Sequence, residues 1–220
     1  MLAFIRAIVT TKKRPSLKPR KLPLQARAEH TVATILEATA RILETRGLDG
    51  LNTNAVAQRA GVSIGSLYQY FSNKDALIVA LSLRERALFY AEAQAALDEP
   101  SGERGLRRLI SASVHQQLRR PVLARLLDFE ENRAPIAREL AASKDGFHDM
   151  LLQLLARDDM PPQPDIAIAA EDIGAIIPAI TDAAGERGEA DRAALEQRVV
   201  RAIFGYLGQN VSNRSHRRRA

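Results

Sequence analysis

The chain has 220 residues, 46% of them hydrophobic and none of them cysteine, with a formal net charge of +6. That apolar content suffices for a substantial core in one or two domains. The missing thiols exclude a disulfide framework, a cysteine nucleophile and thiolate metal or iron–sulfur sites, which fits a reducing cytoplasm. The charge is polarised: residues 1–30 hold eight Lys or Arg against Glu29, residues 211–220 hold four Arg and no acid, and the stretch between is mildly acidic. Clustered cations of this kind gain affinity for a polyanion by releasing its condensed counterions.

Met1 to Val9 is apolar but short, carries Arg6 in its middle and is followed by charge, so it fails as a membrane span or signal peptide and is read as a disordered extension. With Lys12, Lys13, Arg14, Lys18, Arg20 and Lys21 it makes residues 1–24 a basic arm. Strand alternation is absent and apolar spacing is helical nearly everywhere. Val32, Ile35, Leu36, Thr39, Ile42 and Leu43 form one face of a first helix, which Gly47 closes. Asn52 or Thr53 caps a short second helix with Val56, Ala57 and Ala60 inward, and Gly61 ends it in the left-handed conformation. Ser63 caps a third helix whose Leu67 and Phe71 face the core, and Ser72-Asn73-Lys74-Asp75 reads as a capping box opening a fourth.

A short helix, a glycine turn and a second short helix at a steep angle let the latter enter the major groove while its partner braces the backbone. The spacing alone is moderately specific for this helix-turn-helix. Its string sharpens it: Thr53-Asn54-Ala55-Val56-Ala57-Gln58-Arg59-Ala60-Gly61-Val62-Ser63, then Gly65-Ser66-Leu67-Tyr68-Gln69-Tyr70-Phe71-Ser72-Asn73-Lys74-Asp75-Ala76-Leu77, closely resembles the DNA-binding signature of the TetR family. The resemblance covers residues 27–80. It implies an all-α fold, with an N-terminal three-helix DNA-binding domain at residues 25–75, a helical ligand-sensing and dimerisation domain at 76–210, and a basic tail at 211–220.

Carried over by position, Thr53 and Asn54 begin the second helix, where the family contacts phosphate and a base edge. Ser63, Ile64, Gly65, Ser66, Tyr68 and Gln69 occupy the recognition surface, Tyr70 stands at a phosphate-touching position, and Lys74 matches the phosphate-binding lysine of the fourth helix, whose N-terminus adds its own attraction. The plainer alternatives are that Tyr68 and Tyr70 are half-buried packing aromatics and Gln69 ordinary surface. Gln69 suits bidentate contact with adenine and Ser66 meets several base edges, while no recognition-helix position offers an Arg for guanine, so direct readout is modest. Residues 31–75 sum to zero charge, which assigns much of the phosphate affinity to the basic arm, along the backbone or in the minor groove.

Beyond Leu77 a long helix runs to about Asp98 and breaks at Pro100-Ser101-Gly102. Glu103 to Arg120 carries Leu106, Leu109, Ile110, Ser113, Val114 and Gln117 on one face, and Pro121 opens a new helix at its favoured first position. Ala134 to Arg157 is read as one further helix, followed by the stiff connector Met160-Pro161-Pro162-Gln163-Pro164. The last two helices, Asp165 to Ala184 and Glu189 to Gln209, bear stripes of Ile166, Ala169, Ala170, Ile173, Ile177 and Ile180, and of Leu195, Val199, Ile203, Tyr206 and Leu207. These stripes serve either the chain's own core or, as the resemblance implies, a homodimer, which a pseudopalindromic double-stranded DNA operator requires.

Candidates for a small-molecule effector site are Phe89, His115, Phe129, Arg133, Phe147 and Met150, with core packing, solvent exposure and pairing of Arg133 to Glu130 or Glu131 as the competing explanations. His30, His115, His148 and His216 are too scattered for a metal site, and no cofactor is expected. No Gly-rich phosphate loop, paired-carboxylate motif or Ser-His-Asp string stands out, so catalysis is not expected. A purely helical scaffold would explain the amphipathic helices but not the clustered Thr, Gly, Ser, Tyr and Lys of the motif. The reading is a cytoplasmic, homodimeric repressor, without membrane contact, released from its operator by an effector.

Overall fold

Ser63, Asn52 and Asn73 illustrate how local chemistry divides this chain. A computed structural model describes residues 26–141 and 145–208, and within them it holds ten α-helices and no strand. In chain order these are α1 (Ala26–Arg46), α2 (Thr53–Ala60), α3 (Ile64–Tyr70), α4 (Lys74–Ala93), α5 (Gly102–Arg119), α6 (Pro121–Glu131), α7 (Ala134–Leu140), α8 (Asp145–Leu155), α9 (Ile166–Glu186) and α10 (Arg192–Gly208). A single 3₁₀ turn, Gln94–Ala96, extends α4. The basic arm and the Arg-rich tail lie outside the described residues.

Asn52 caps α2 by accepting a hydrogen bond from the Ala55 amide (2.8 Å), and Gly61, at φ 67°, ends the helix in the left-handed region. Ser63 caps α3 in the same way from the Ser66 amide (3.0 Å). The fourth helix departs from expectation by one residue. Asn73 rather than Ser72 is the cap, its Oδ1 accepting from the Ala76 amide at 2.9 Å. The reason is that Asn is as good a cap as Ser, and the amide three positions on belongs to buried Ala76.

The continuous helix read over Ala134 to Arg157 is instead two helices, α7 and α8. They serve different cores, which is why they separate. Ile136 and Leu140 of α7 join α1 to α3, the first turns of α4, and Leu123 and Leu127 of α6 in one apolar cluster. Met150, Leu151, Leu154 and Leu155 of α8 join Ala93, α5, α9 and α10 in a second. The striped faces of the last two helices, Ala169, Ala170, Ile173 and Ile177 with Leu195, Val199, Ile203 and Leu207, are buried within this second core.

The two cores are separated by polar residues wherever a helix passes from one to the other. Along α4 the first core ends at Leu81 and the second begins at Ala93, and between them lie buried Ser82 and Glu85. Across the α5–α6 corner the second core ends at Val114 and the first resumes at Leu123, and between them lie buried Gln117, half-buried Arg120 and the more exposed Arg119. Ser82 Oγ is fully enclosed without a hydrogen-bond partner among the described residues. Because each buried apolar side chain contributes about 1.5–3 kcal/mol while a typical hydrogen bond nets only about 0.5–1.5 kcal/mol, such a seam is where the structure is held by directional bonds rather than by area.

Candidate nucleic-acid interface

The exposed and buried sides of α3 divide cleanly. Leu67 and Phe71 are fully enclosed, and Tyr70 packs its ring into the same core at 8% exposure. Ile64, Gly65, Tyr68 and Gln69 face outward, with Ser63 exposed at the cap and Ser66 half-buried behind it. Ser63 and Ser66 share a hydroxyl–hydroxyl hydrogen bond of 2.9 Å. At the head of α2, Asn54 is exposed and half-buried Thr53 hydrogen-bonds the Tyr68 hydroxyl at 3.1 Å, tying the two helices together.

Lys74 stands one turn away at the start of α4, its ammonium donating to the Leu48 carbonyl at 2.8 Å. That bond holds the α1–α2 connection against α4 and leaves the half-buried cation beside a helix N-terminus. Gly65 is unlike the glycines of the turns. Among the described residues a Cβ added there would meet only Ser63 Oγ, at 3.9 Å, so none of them requires glycine at this place. Since glycine costs about 0.5–1 kcal/mol against alanine inside a helix, the residue suits close approach of an external partner to the backbone.

The six effector candidates do not converge. Phe89 and Phe147 pack with ring centroids 5.7 Å apart, Tyr90 joins Phe89 at 5.3 Å, and Met150 lies in the adjoining core. His115 instead meets the Glu92 carboxylate near the surface, its Nδ1 2.8 Å from Oε2. Phe129 is 64% exposed on the outer face of α6. Arg133 is engaged by Glu130 and by Asp75, the latter at 3.2 Å. One surface cleft is lined by His30, Thr34, Glu37, Arg41 and Arg59, another by Glu99, Arg104, Arg107, Arg108 and Glu196, and neither contains a candidate residue.

An ion network escaped the sequence altogether. Arg120 donates to both carboxylate oxygens of Glu44, at 2.6 and 2.8 Å, and to Glu37 at 3.0 and 3.4 Å. Arg84 bridges Glu37 and Glu85, and Arg119 reaches Glu85 from the other side. The hydrogen bond from Arg120 outweighs burial and holds Glu44 below the usual carboxylate range. Burial alone would raise Glu37, but Arg120, Arg84 and Arg41 together pull it down, and Arg120 itself is raised, chiefly by Glu44. Among the described residues no three His, Cys, Asp or Glu side chains gather as a metal-ligand set, and no helix is long and apolar enough to cross a membrane.

Residues 35–81 match the family described as bacterial regulatory proteins, tetR family, and residues 103–207 match a tetracyclin repressor-like C-terminal domain. Among curated relatives, the HTH-type transcriptional regulator BetI of Burkholderia ambifaria is 30% identical over 56% of this chain and 58% of its own length. The HTH-type transcriptional repressor KstR of Rhodococcus jostii is 29% identical over 61% of this chain and 64% of its own. The chain thus spans somewhat over half of these relatives, which are transcriptional regulators rather than enzymes. Among solved structures, the fatty acid degradation regulator FadR of Bacillus halodurans superposes with a TM-score of 0.70 at 19% identity, covering 85% of this chain and 97% of the other. The FadR of Bacillus subtilis in complex with stearoyl-CoA gives 0.69 at 17% identity, over 78% and 96%. With exposed Asn54, Gly65, Tyr68 and Gln69 on a capped two-helix corner, and both halves of the chain matched, this protein belongs to the tetR family of bacterial regulatory proteins.

Proposed function

We propose that the protein is a homodimeric transcriptional repressor that binds double-stranded operator DNA through Thr53, Asn54, Ser63, Ile64, Gly65, Ser66, Tyr68, Gln69, Tyr70 and Lys74, and leaves it when a small molecule binds. The observation that carries this reading is Gly65, exposed in the middle of a polar helical face with open space where its side chain would be. Burial of the Tyr70 ring restricts that residue to contact through its hydroxyl. The effector reading rests on the relatives. One structural neighbour holds stearoyl-CoA and another, SmeT, holds triclosan, both molecules with large apolar parts, and Phe89, Phe147 and Met150 are the effector candidates that lie in or against one apolar core of this chain.

Dimerisation through α9 and α10 draws on their outward faces, because their striped faces are occupied by the chain's own core. Ile168, 55% exposed, with Ala175 and Ala179 on α9 and Gly205 on α10, supplies that apolar outer surface. A dimer holds two recognition helices about one DNA turn apart, or a multiple of it. The decisive experiment is selection from a randomised duplex library with the full-length protein, followed by Gly65→Ala. The variant is expected to raise unfolding stability by about 0.5–1 kcal/mol while lowering affinity for the selected DNA at least tenfold. Unchanged affinity would remove α3 from the interface, and a library that yields no specific sequence would refute the repressor.

A further inference from the structure

Two arginines at helix corners spend their side chains in an unusual way. Arg120 is the N-cap residue of α6 and Arg133 that of α7, positions where Ser, Thr, Asp or Asn normally bonds the helix's own free amides. Neither gives its helix a side-chain cap bond. Both reach towards the N-terminal helices instead: Arg120 to Glu37 and Glu44 on α1, Arg133 to Asp75 in the first turn of α4. The Arg120 contact is the more enclosed, with the arginine and Glu44 side chains each 18% exposed, whereas Arg133 is 42% exposed.

Such a bond is poorly explained as a source of stability, since a well-packed apolar replacement of a buried ion pair is often neutral or favourable. What it supplies is direction. A planar guanidinium that meets two carboxylates about two helical turns apart, as Glu37 and Glu44 are on α1, fixes angle as well as distance. Glu37 and Glu44 sit on α1, the helix against which α2 and α4 pack, so an angle imposed on α1 is imposed on the recognition helix. The clamp also lies where the two apolar cores give way to polar residues, and there area burial leaves orientation least determined.

We infer that Arg120 is a positioning residue for operator recognition: through Glu37 and Glu44 it sets the angle of the reading head on the sensor helices, and thereby the half-site spacing that a dimer accepts. This rests on the dimeric DNA-binding reading above. Arg120 touches no DNA; it acts through α1.

The test uses full-length protein and the duplex that wild type selects, remade with one or two base pairs added or removed between the half-sites. Wild type is expected to lose about tenfold in affinity per base pair of misfit, within the range of ordinary coupling between sites. Arg120→Gln and Glu44→Gln are expected to flatten that dependence to about threefold or less, the double variant no further than either single one, and Arg120→Lys to fall between, because an ammonium lacks the fork. Affinity for an isolated half-site should stay within about twofold, which a general loss of folding would not allow. If Arg120→Gln does not fold, Glu44→Gln, which leaves Arg120 its bond to Glu37, gives the same readout. An unchanged spacing profile in a folded variant, or an equal loss at every spacing, overturns the assignment. If wild type selects no DNA, the dimeric repressor fails first and this inference with it.

Discussion

The starts of α2, α3 and α4 are each fixed by their own side chain, Asn52, Ser63 and Asn73, whose oxygens bond amides three residues ahead. The starts of α6 and α7 are fixed by Pro121 and Pro135 near the first position, while their cap residues, Arg120 and Arg133, bond to helices more than fifty residues away. The first arrangement fixes, from within the reading head itself, where each of its helices begins. The second makes α6 and α7 a collar whose job is alignment: their apolar faces, Leu123, Leu127, Ile136 and Leu140, belong to the head's core. The connection between α1–α4 and the helices from α8 onward is therefore an extension of the head rather than a flexible joint at residue 75.

The sharpest way to break this comparison is to remove apolar bulk from each part. Phe71 is fully enclosed at the end of α3, and Phe71→Ala is expected to cost about 3–5 kcal/mol in a urea denaturation series. Phe129 on the collar is 64% exposed, and Phe129→Ala should stay within about 0.5 kcal/mol of wild type. Comparable losses for both would mean that a covered state of α6, such as an assembly, governs folding. Glycine gives the next largest effect. A Cβ at Gly105 on α5 would lie 2.6 Å from the Ala96 carbonyl and strike Leu154, so Gly105→Ala should destabilise by about 1–3 kcal/mol through overpacking. That is opposite in sign to Gly65→Ala in the head, and thermal unfolding of the two variants side by side separates a glycine kept for packing from one kept for a partner.

The head was legible because its determinants are local. Asn52, Gly61 and Ser63 each act within four residues, and the only slip, Ser72 for Asn73, exchanges one good cap for its neighbour. Leu67 and Phe71 followed from periodicity for the same reason. The α7–α8 division was not legible, because both segments keep helical spacing and only the existence of two cores tells the chain to leave one for the other. The stripes of α9 and α10 were found, but a stripe does not say whether its partner is the same chain or another. Arg120 was invisible: Glu44 and Glu37 lie 76 and 83 residues away, and nothing in their spacing announces the pair. Of the effector candidates, Phe89 and Phe147 met as aromatics in apolar stretches tend to, whereas His115 and Arg133 found carboxylates, which charge alone explains as well.

The smallest effect falls on the bond between Thr53 and Tyr68. Both hydroxyls are at the surface end of the head, and an exposed hydrogen bond of 3.1 Å exchanges readily with water, so Tyr68→Phe should change unfolding stability by less than about 0.5 kcal/mol. Its consequence for DNA is separable from its consequence for folding. The bond ties the N-terminus of α2 to the outward face of α3, so that Thr53 and Tyr68 are presented as one unit. If either hydroxyl meets phosphate, Tyr68→Phe lowers affinity about equally for every sequence, by a factor of roughly ten, the size of one lost hydrogen bond to a charged group at the weak end of its range. If Tyr68 reads a base edge, the loss concentrates at one position of the selected site. Binding measured on the selected duplex and on a scrambled one decides between them, and an affinity unchanged on both would take Tyr68 out of the interface and leave it, with Thr53, as a brace between the two helices of the corner.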